Sequence, residues 1–508
     1  MSGSGHFDTS AVRADLRGKS VRSGAAMLAA QGGKAAFGLA SAMALARLLT
    51  PDDFGRVALV VVSLSFLTIF RDLGLPEATV RFEAIDDEQV STLFWMNLAL
   101  ALLIFVPAAF LGPFFSRVFR TPGLNGITAA LAALCIVYVL SLHHTAILRR
   151  RMRFVVLAGI QVAVTIVASI VGIIAAWKGM GVWALVLQRF TNGLVETAAV
   201  WIFCSWRPRL LFRFGAIRGM IRFGAFYTLS AALYYVSRRA DRLLLGRFSS
   251  AGAVGLYEKS YEWLLLPAGN ITVPIGKVAL PGLCRLQDDP ARFRSYFRRA
   301  ALLVLTITVP LILFLAVDAP RFVLFLLGGQ WIDAVPVFRF LLAVALTADW
   351  VILLGWVYIA LGRTDREFRF WAVAAAVLVA AFRIGAPHGP AALAASFSAA
   401  QLLLAVPSVF YCFHGTPLRA GDFFGVFARP TIRAAAAAAA LLLFRRFVAF
   451  DAPPAIDLAA GAALFFGVYW GAWAATKPGR ETLRADFRLL RELRSPAPPS
   501  PSPPDAVD

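Results

Sequence analysis

The chain has 508 residues, 59% of them hydrophobic and 16% charged, with a formal net charge of +21. Soluble globular proteins are about 45–50% apolar and about 25% charged, so the composition excludes a soluble core and places the chain among membrane proteins. The positive charge does not mark a nucleic-acid binder, because Lys and Arg fall in short clusters between apolar runs rather than on one soluble face.

The first stretch, Met1 to Ser20, is polar and lacks the apolar core of a signal peptide, so no cleavable signal is expected. A spanning helix needs about 20 mostly apolar residues. By that rule the sequence predicts an all-α integral membrane protein with about fourteen spans, near 23–46, 55–75, 91–112, 126–147, 154–177, 181–204, 223–246, 253–281, 300–327, 333–361, 368–386, 389–412, 430–450 and 455–476. Between the sixth and seventh, Leu210, Leu211, Phe214, Ile217 and Ile221 recur near helical spacing with Arg213, Arg218 and Arg222 between them, the pattern of a basic interfacial helix. The end of the chain is charged from Lys477 to Arg494, then rich in Pro and Ser, and reads as disordered.

Orientation follows from the basic residues. One set of connections carries Arg13, Arg17, Lys19 and Arg22, Arg149 to Arg151, Arg207 to Arg222, and Arg285 to Arg299. The alternate connections hold far fewer. The bias puts both termini in the cytoplasm and requires an even number of spans.

An internal repeat appears at an offset of about 200 residues: Arg22, Gly24, Ala25, Ala40, Leu45, Arg47 and Gly55 match Arg222, Gly224, Ala225, Ala240, Leu245, Arg247 and Gly255. Two six-helix halves related about the membrane normal are a known transporter plan. The expected organisation is a cytoplasmic segment 1–20, an N-lobe 21–206, the linker 207–222, a C-lobe 223–413, two further spans in 414–476 and a cytoplasmic tail 477–508.

Signals for covalent chemistry are weak. Arg17-Gly18-Lys19-Ser20 resembles the end of a phosphate-binding loop, but Arg13 stands where the first Gly belongs. His6, His143, His144, His388 and His414 form no metalloprotease pattern, and His143 and His144 read as packing residues. The four cysteines are scattered and read as apolar packing, so neither a metal nor a catalytic set is expected. Asn270-Ile271-Thr272 is a glycosylation sequon inside an apolar run and therefore inaccessible. A membrane polysaccharide polymerase or ligase would need a sizeable outer loop, and the outer connections are short.

Polar residues inside the spans are the best functional clue, because a charge at the bilayer centre costs about 2.5–3.5 kcal/mol and usually faces a wet cavity. Lys34 lies in the first span; Arg189, Asn192 and Glu196 share one face of the sixth. The seventh carries Arg238, Arg239, Asp241 and Arg242, and the eighth carries Lys259, Glu262, Asn270 and Lys277. Cations outnumber anions in this set, and Arg matches phosphate oxygens in forked geometry. Lys34, Arg189, Asn192, Glu196, Arg238, Arg239, Asp241 and Lys277 are the expected lining of a cavity for an anionic cargo such as a lipid pyrophosphate. A multidrug pump for cations is the main alternative, and it should have an acidic cavity.

Three segments carry a family resemblance. Ala46-Arg47-Leu48-Leu49-Thr50-Pro51-Asp52-Asp53-Phe54-Gly55 is similar to the first outer turn of Wzx-type polysaccharide flippases. Phe70-Arg71-Asp72-Leu73-Gly74-Leu75-Pro76-Glu77-Ala78 resembles their segment after helix two, and Asp241-Arg242-Leu243-Leu244-Leu245-Gly246 with Gly255-Leu256-Tyr257 their second-half signature. The resemblance covers about residues 20–415 and implies the multidrug/oligosaccharidyl-lipid/polysaccharide exporter superfamily. It implies two six-helix lobes in a V around a central cavity, with two extra C-terminal helices and alternating access. It also implies lipid-linked oligosaccharides of the undecaprenyl pyrophosphate type as cargo, for O-antigen or exopolysaccharide, in a bacterial inner membrane. Polymerase and assembly machinery are implied partners. No bound cofactor is implied, and some members couple to a proton or sodium gradient. In the motifs, Pro51 and Gly55 are expected to bracket a turn with Asp52 or Asp53 capping the next helix, while Gly74 and Pro76 end it.

Overall fold

A computed structural model of the chain describes residues 16–72, 86–151, 153–210, 228, 235, 239–448, 453–477 and 479–481, with side chains described from residue 32 onward. The described residues are helical with irregular connections and contain no strand. In chain order the helices are α1 (Leu16–Leu48), α2 (Pro51–Asp72), α3 (Asp87–Ala109), α4 (Gly112–Val118), α5 (Leu124–Arg150), α6 (Phe154–Trp177), α7 (Val182–Phe203), α8 (239–248), α9 (Ala251–Leu264), α10 (Val273–Arg285), α11 (Pro290–Val317), α12 (Ala319–Leu326), α13 (Ala334–Phe340), α14 (Leu342–Ala360), α15 (Thr364–Gly385), α16 (Pro390–Phe413), α17 (Ala420–Phe447) and α18 (Pro454–Ala474). Eleven described segments are long and apolar enough to cross a membrane. Helix α7 is not among them, and it carries Gln188, Arg189, Asn192 and Glu196. Leu103, Phe110, Leu403 and Ile432 are exposed on helix surfaces or ends, as lipid-facing residues are. The chain is a multi-pass membrane protein.

Local chemistry sets the helix ends. At α2, Asp53 Oδ2 accepts hydrogen bonds from the Thr50 backbone N–H (3.0 Å) and hydroxyl (2.8 Å), and Thr50 Oγ1 accepts from the Asp53 N–H at 3.3 Å. This reciprocal cap starts the helix at Pro51, whose missing N–H costs nothing there. Gly55 therefore lies inside α2 rather than in the turn. Its role is contact: a Cβ on Gly55 would strike the Ala251 carbonyl, and one on Gly255 would strike the Pro51 carbonyl. Helices α2 and α9 thus cross backbone to backbone through two positions 200 residues apart. The equivalent cap holds as well, with Ser250 Oγ accepting from the Ala253 N–H at 3.2 Å.

Several expected spans are divided. The eighth remains one candidate span, Ala251–Arg285, but a π-helical turn, Ala268–Thr272, in a stretch containing Pro267, Pro274 and Pro281, interrupts it between α9 and α10. The ninth starts earlier, at Pro290 behind the Asp289 cap, and stops at Val317, after which Pro320 opens the separate α12. The tenth becomes α13 and α14. The expected interfacial helix lies mostly outside the described residues, as do Gly74 and Pro76; its first residues, Arg207 to Leu210, are not helical.

Two compact units emerge. The first comprises Met1–Leu266, Ala319–Ala348 and Thr364–Tyr411. Within it α1 packs on α6, α6 on α7, α5 on α3 and α7, and α2 on α9. Phe94, Ile147, Val164, Val200 and Trp206 form a buried core. His143 and His144 join it, His143 3.2 Å from Asn97 Nδ2 and His144 stacked on Trp201 at 4.5 Å, so they pack as the sequence suggests. The second unit comprises Pro267–Asp318, Asp349–Arg363 and Cys412–Asp508. There α11 packs on α10 and α17, and α17 on α18. Arg445 bridges Asp318 at 3.0 Å and Asp457, joining the end of α11 to both C-terminal helices.

Candidate functional site

The first unit encloses a cavity of about 580 Å³. Small residues of α1 and α2 (Gly38, Ser41, Ala42 and Ala58) leave the space, because their side chains do not fill it. Helices α5, α6 and α7 contribute Tyr138, Thr165, Gln188, Arg189 and Asn192; α8 and α9 contribute Arg239, Glu258, Lys259 and Glu262, beside Tyr235. The lining thus joins charged and hydroxyl groups to apolar residues such as Leu45, Val57, Val61 and Leu185, which suits a cargo with polar and apolar parts.

Hydrogen bonds fix much of this wall. Gln188 Nε2 donates to Ser41 Oγ at 3.2 Å, and the Tyr138 hydroxyl donates to Asn192 Oδ1 at 3.3 Å. Tyr235 donates to the Val62 carbonyl at 2.6 Å. The ionic groups are ordered by a hairpin. Helices α8 and α9 meet at Ser249 and Ser250, so residues at similar distances from that turn come near each other. Arg242 Nε reaches Glu258 Oε2 at 2.6 Å, and its Nη1 reaches Asp241 Oδ2 at 2.6 Å. Tyr257 donates to the same Asp241 oxygen at 2.9 Å, and the Arg242 guanidinium lies 4.3 Å from the Tyr261 ring centroid. Arg239 approaches the other Glu258 oxygen at 3.6 Å. Lys259 pairs with Glu262 at 2.8 Å and lies over the Phe54 ring at 4.6 Å.

The charges do not cancel. Arg189, Arg239 and Lys259 line the cavity against Glu258 and Glu262. Lys259 has its own acid, and Glu258 is shared between Arg239 and Arg242. Arg189 makes no hydrogen bond or ion pair with another described residue and is exposed to the cavity. A guanidinium in this position offers up to five donors in a rigid fork. Asn192, one turn along α7, adds an amide beside it.

Of the eight residues singled out in the sequence, Arg189, Asn192 and Arg239 line this cavity. Lys34 lies one turn from Gly38 and donates to Gln161 Oε1 at 3.1 Å, off the lining. Glu196 is half-buried on α7 and also off the lining. Asp241 is 1% exposed and locked to Arg242 and Tyr257. Lys277 is exposed on α10 in the second unit. Arg238 lies outside the described residues. Glu258 escaped the sequence reading; it lies eight residues after Ser250, one more than separates Arg242 from Ser249, and so comes near Arg242 across the hairpin. Lys259 and Glu262 were visible as in-membrane charges but not as cavity lining.

Comparison with known proteins gives a consistent picture. The lipopolysaccharide biosynthesis protein WzxC of Escherichia coli (strain K12) is 23% identical over 73% of this chain and 76% of its own length. The succinoglycan biosynthesis transport protein ExoT of Rhizobium meliloti (strain 1021) is 25% identical over 58% of this chain, which spans 59% of that relative. Among solved structures, the lipid II flippase MurJ in an inward closed conformation superimposes with a TM-score of 0.69 at 14% identity, over 88% of this chain and 99% of MurJ. An inward-facing multidrug resistance MATE family transporter gives 0.56 at 14% identity, over 82% of this chain and 96% of that structure. The transporter fold drawn from the three sequence segments is therefore the fold observed. Residues 44–336 match the model of the polysaccharide biosynthesis protein family, and the chain belongs to that family.

Proposed function

We propose that this chain is a flippase that moves polyprenyl-pyrophosphate-linked oligosaccharide units, of the undecaprenyl type, across the bacterial inner membrane by alternating access. The units would feed O-antigen or exopolysaccharide assembly, with a polysaccharide polymerase and assembly machinery as partners. Both termini lie in the cytoplasm in this reading, from the basic clusters of the connecting segments.

The observation that carries the reading is Arg189: a cation without an ion pair to a described residue, opening into a cavity of hydroxyls, amides and compensated charges. Holding such a cation among spanning helices costs about 2.5–3.5 kcal/mol unless an anion or water compensates it. A diphosphate supplies that anion, and the hydroxyl-rich wall suits a sugar. The work is transport rather than covalent chemistry, in line with the relatives named as a transport protein and a flippase.

A multidrug efflux pump shares the fold. Its cationic cargo fits this cavity poorly, since three cations face two acids in the lining. Reconstitution separates the two. Purified protein in lipid vesicles should carry a fluorescent polyprenyl-pyrophosphate oligosaccharide from one leaflet to the other, and deletion of the gene should cut surface polysaccharide without altering drug susceptibility. Sensitisation to cationic drugs with normal polysaccharide would favour the pump.

A further inference from the structure

The second unit buries a carboxylate that the cavity does not use. Asp349 stands near the middle of α14 and is 0% exposed. Its Oδ1 accepts the Thr272 hydroxyl at 2.6 Å, and its Oδ2 has no hydrogen-bond partner among the described residues. Thr308 of α11, also fully buried, faces it from the third side.

Charged groups on the elements packed around it are held by other partners or exposed. On α11, Arg294 holds Asp422 of α17 at 2.6 Å, and Arg298 approaches it at 3.7 Å. At the far end of α11, Asp318 holds Arg445. Lys277 of α10 is exposed, and on α17 Arg433 lies 4.0 Å from the Trp473 ring centroid. The α17 residues that meet α14 beside Asp349 are aromatic: Phe423, Phe424 and Phe427 surround Trp350. No titratable partner among the described residues therefore compensates Asp349.

Thr272 is the last residue of the π-helical turn between Pro267 and Pro274. Such turns, and prolines in helices, are where a spanning helix bends. The acid is thus hydrogen-bonded to the least regular point of its neighbour. A carboxylate needed only to fasten Thr272 would be matched by an amide, which also offers a carbonyl acceptor. Calcium or magnesium would draw about six or more oxygen ligands. Here there are one carboxylate and two hydroxyls, and the Thr308 hydroxyl donates to the Val304 carbonyl at 3.0 Å. A proton needs only the unpartnered Oδ2.

We propose that Asp349 is a proton-binding site, holding one proton as a neutral carboxyl in the conformation described and releasing it when a change at the π turn admits water. The exchange is carboxyl to carboxylate plus a proton, with no other bond made or broken. It supplies the coupling ion for transport; that role rests on the flippase reading, whereas the protonation does not.

The test uses the full chain in lipid vesicles, with two readouts. Infrared spectra should contain the carbonyl stretch of a buried protonated carboxyl that Asp349→Asn removes and Thr272→Val retains at a shifted frequency. In the flipping assay, a one-unit pH step should shift the distribution of labelled lipid-linked sugar by about tenfold for one proton per cycle. Asp349→Asn should flip with no response to the step. An Asn variant that keeps the band, responds to the pH step like wild type, or responds to sodium at constant pH would overturn the site. A wild type that moves no labelled lipid would overturn the flippase reading and the coupling drawn from it, and the infrared band would still decide the proton site.

Discussion

In the second unit Arg445, 8% exposed, is held between Asp318 and Asp457, whereas in the first unit Arg189 opens into a cavity with no ion pair to a described residue. Both are guanidinium groups among spanning helices, and the same desolvation cost applies to each. One is neutralised by its own chain, which fastens three helices. The other faces the open cavity, with Glu258 and Glu262 on the same lining but in no ion pair with it. The contrast separates charges that build this protein from charges available to a ligand, and it predicts opposite outcomes when each is removed.

The largest effect should come from Arg445→Ala. It takes the shared guanidinium from Asp318, 1% exposed, and from Asp457; breaking a buried pair in this way costs about 3–5 kcal/mol, so thermal unfolding in detergent should shift strongly while Arg189 still faces an intact first unit. Arg189→Ala should do the reverse. Loss of a charge-assisted hydrogen bond to a ligand is worth about 1.5–3 kcal/mol, which is about 10- to 150-fold in transport, with unfolding unchanged; Arg189→Lys should recover part, because Lys lacks the fork. Glu258→Gln tests a mixed case. It weakens the 2.6 Å bond to Arg242, which is 1% exposed, and should lower stability by about 1.5–3 kcal/mol. Glu262→Gln should be smallest, about 0–1 kcal/mol, since that acid is 51% exposed. An Arg189→Ala protein that unfolds as early as Arg445→Ala would erase the contrast.

Hydropathy made the helices legible, because lipid demands long apolar runs whatever their partners. The repeat paired Gly55 with Gly255, and these two meet where a close crossing admits no side chain on either helix. The breaks were less visible. Nothing local separates a proline-containing spanning helix from one with a π turn, so α9 and α10 read as a single span. At the site, Arg189 and Asn192 were found because one helical face carries both. Asp241 read as a cavity residue because sequence shows its charge but not its neighbours; Arg242 and Tyr257 remove it from play. Glu258 was missed because its partner lies across a hairpin, and Asp349 because one acid in an apolar run leaves hydropathy almost unchanged.

The most direct measurement of the central claim compares wild type with Arg189→Ala in vesicles loaded with a fluorescent polyprenyl-pyrophosphate oligosaccharide, alongside the unfolding temperature of each. A drop in leaflet-to-leaflet transfer of tenfold or more at an unchanged unfolding temperature is the expected result. Equal transfer by the two proteins would contradict the assignment of Arg189 as the cavity's anion-binding group.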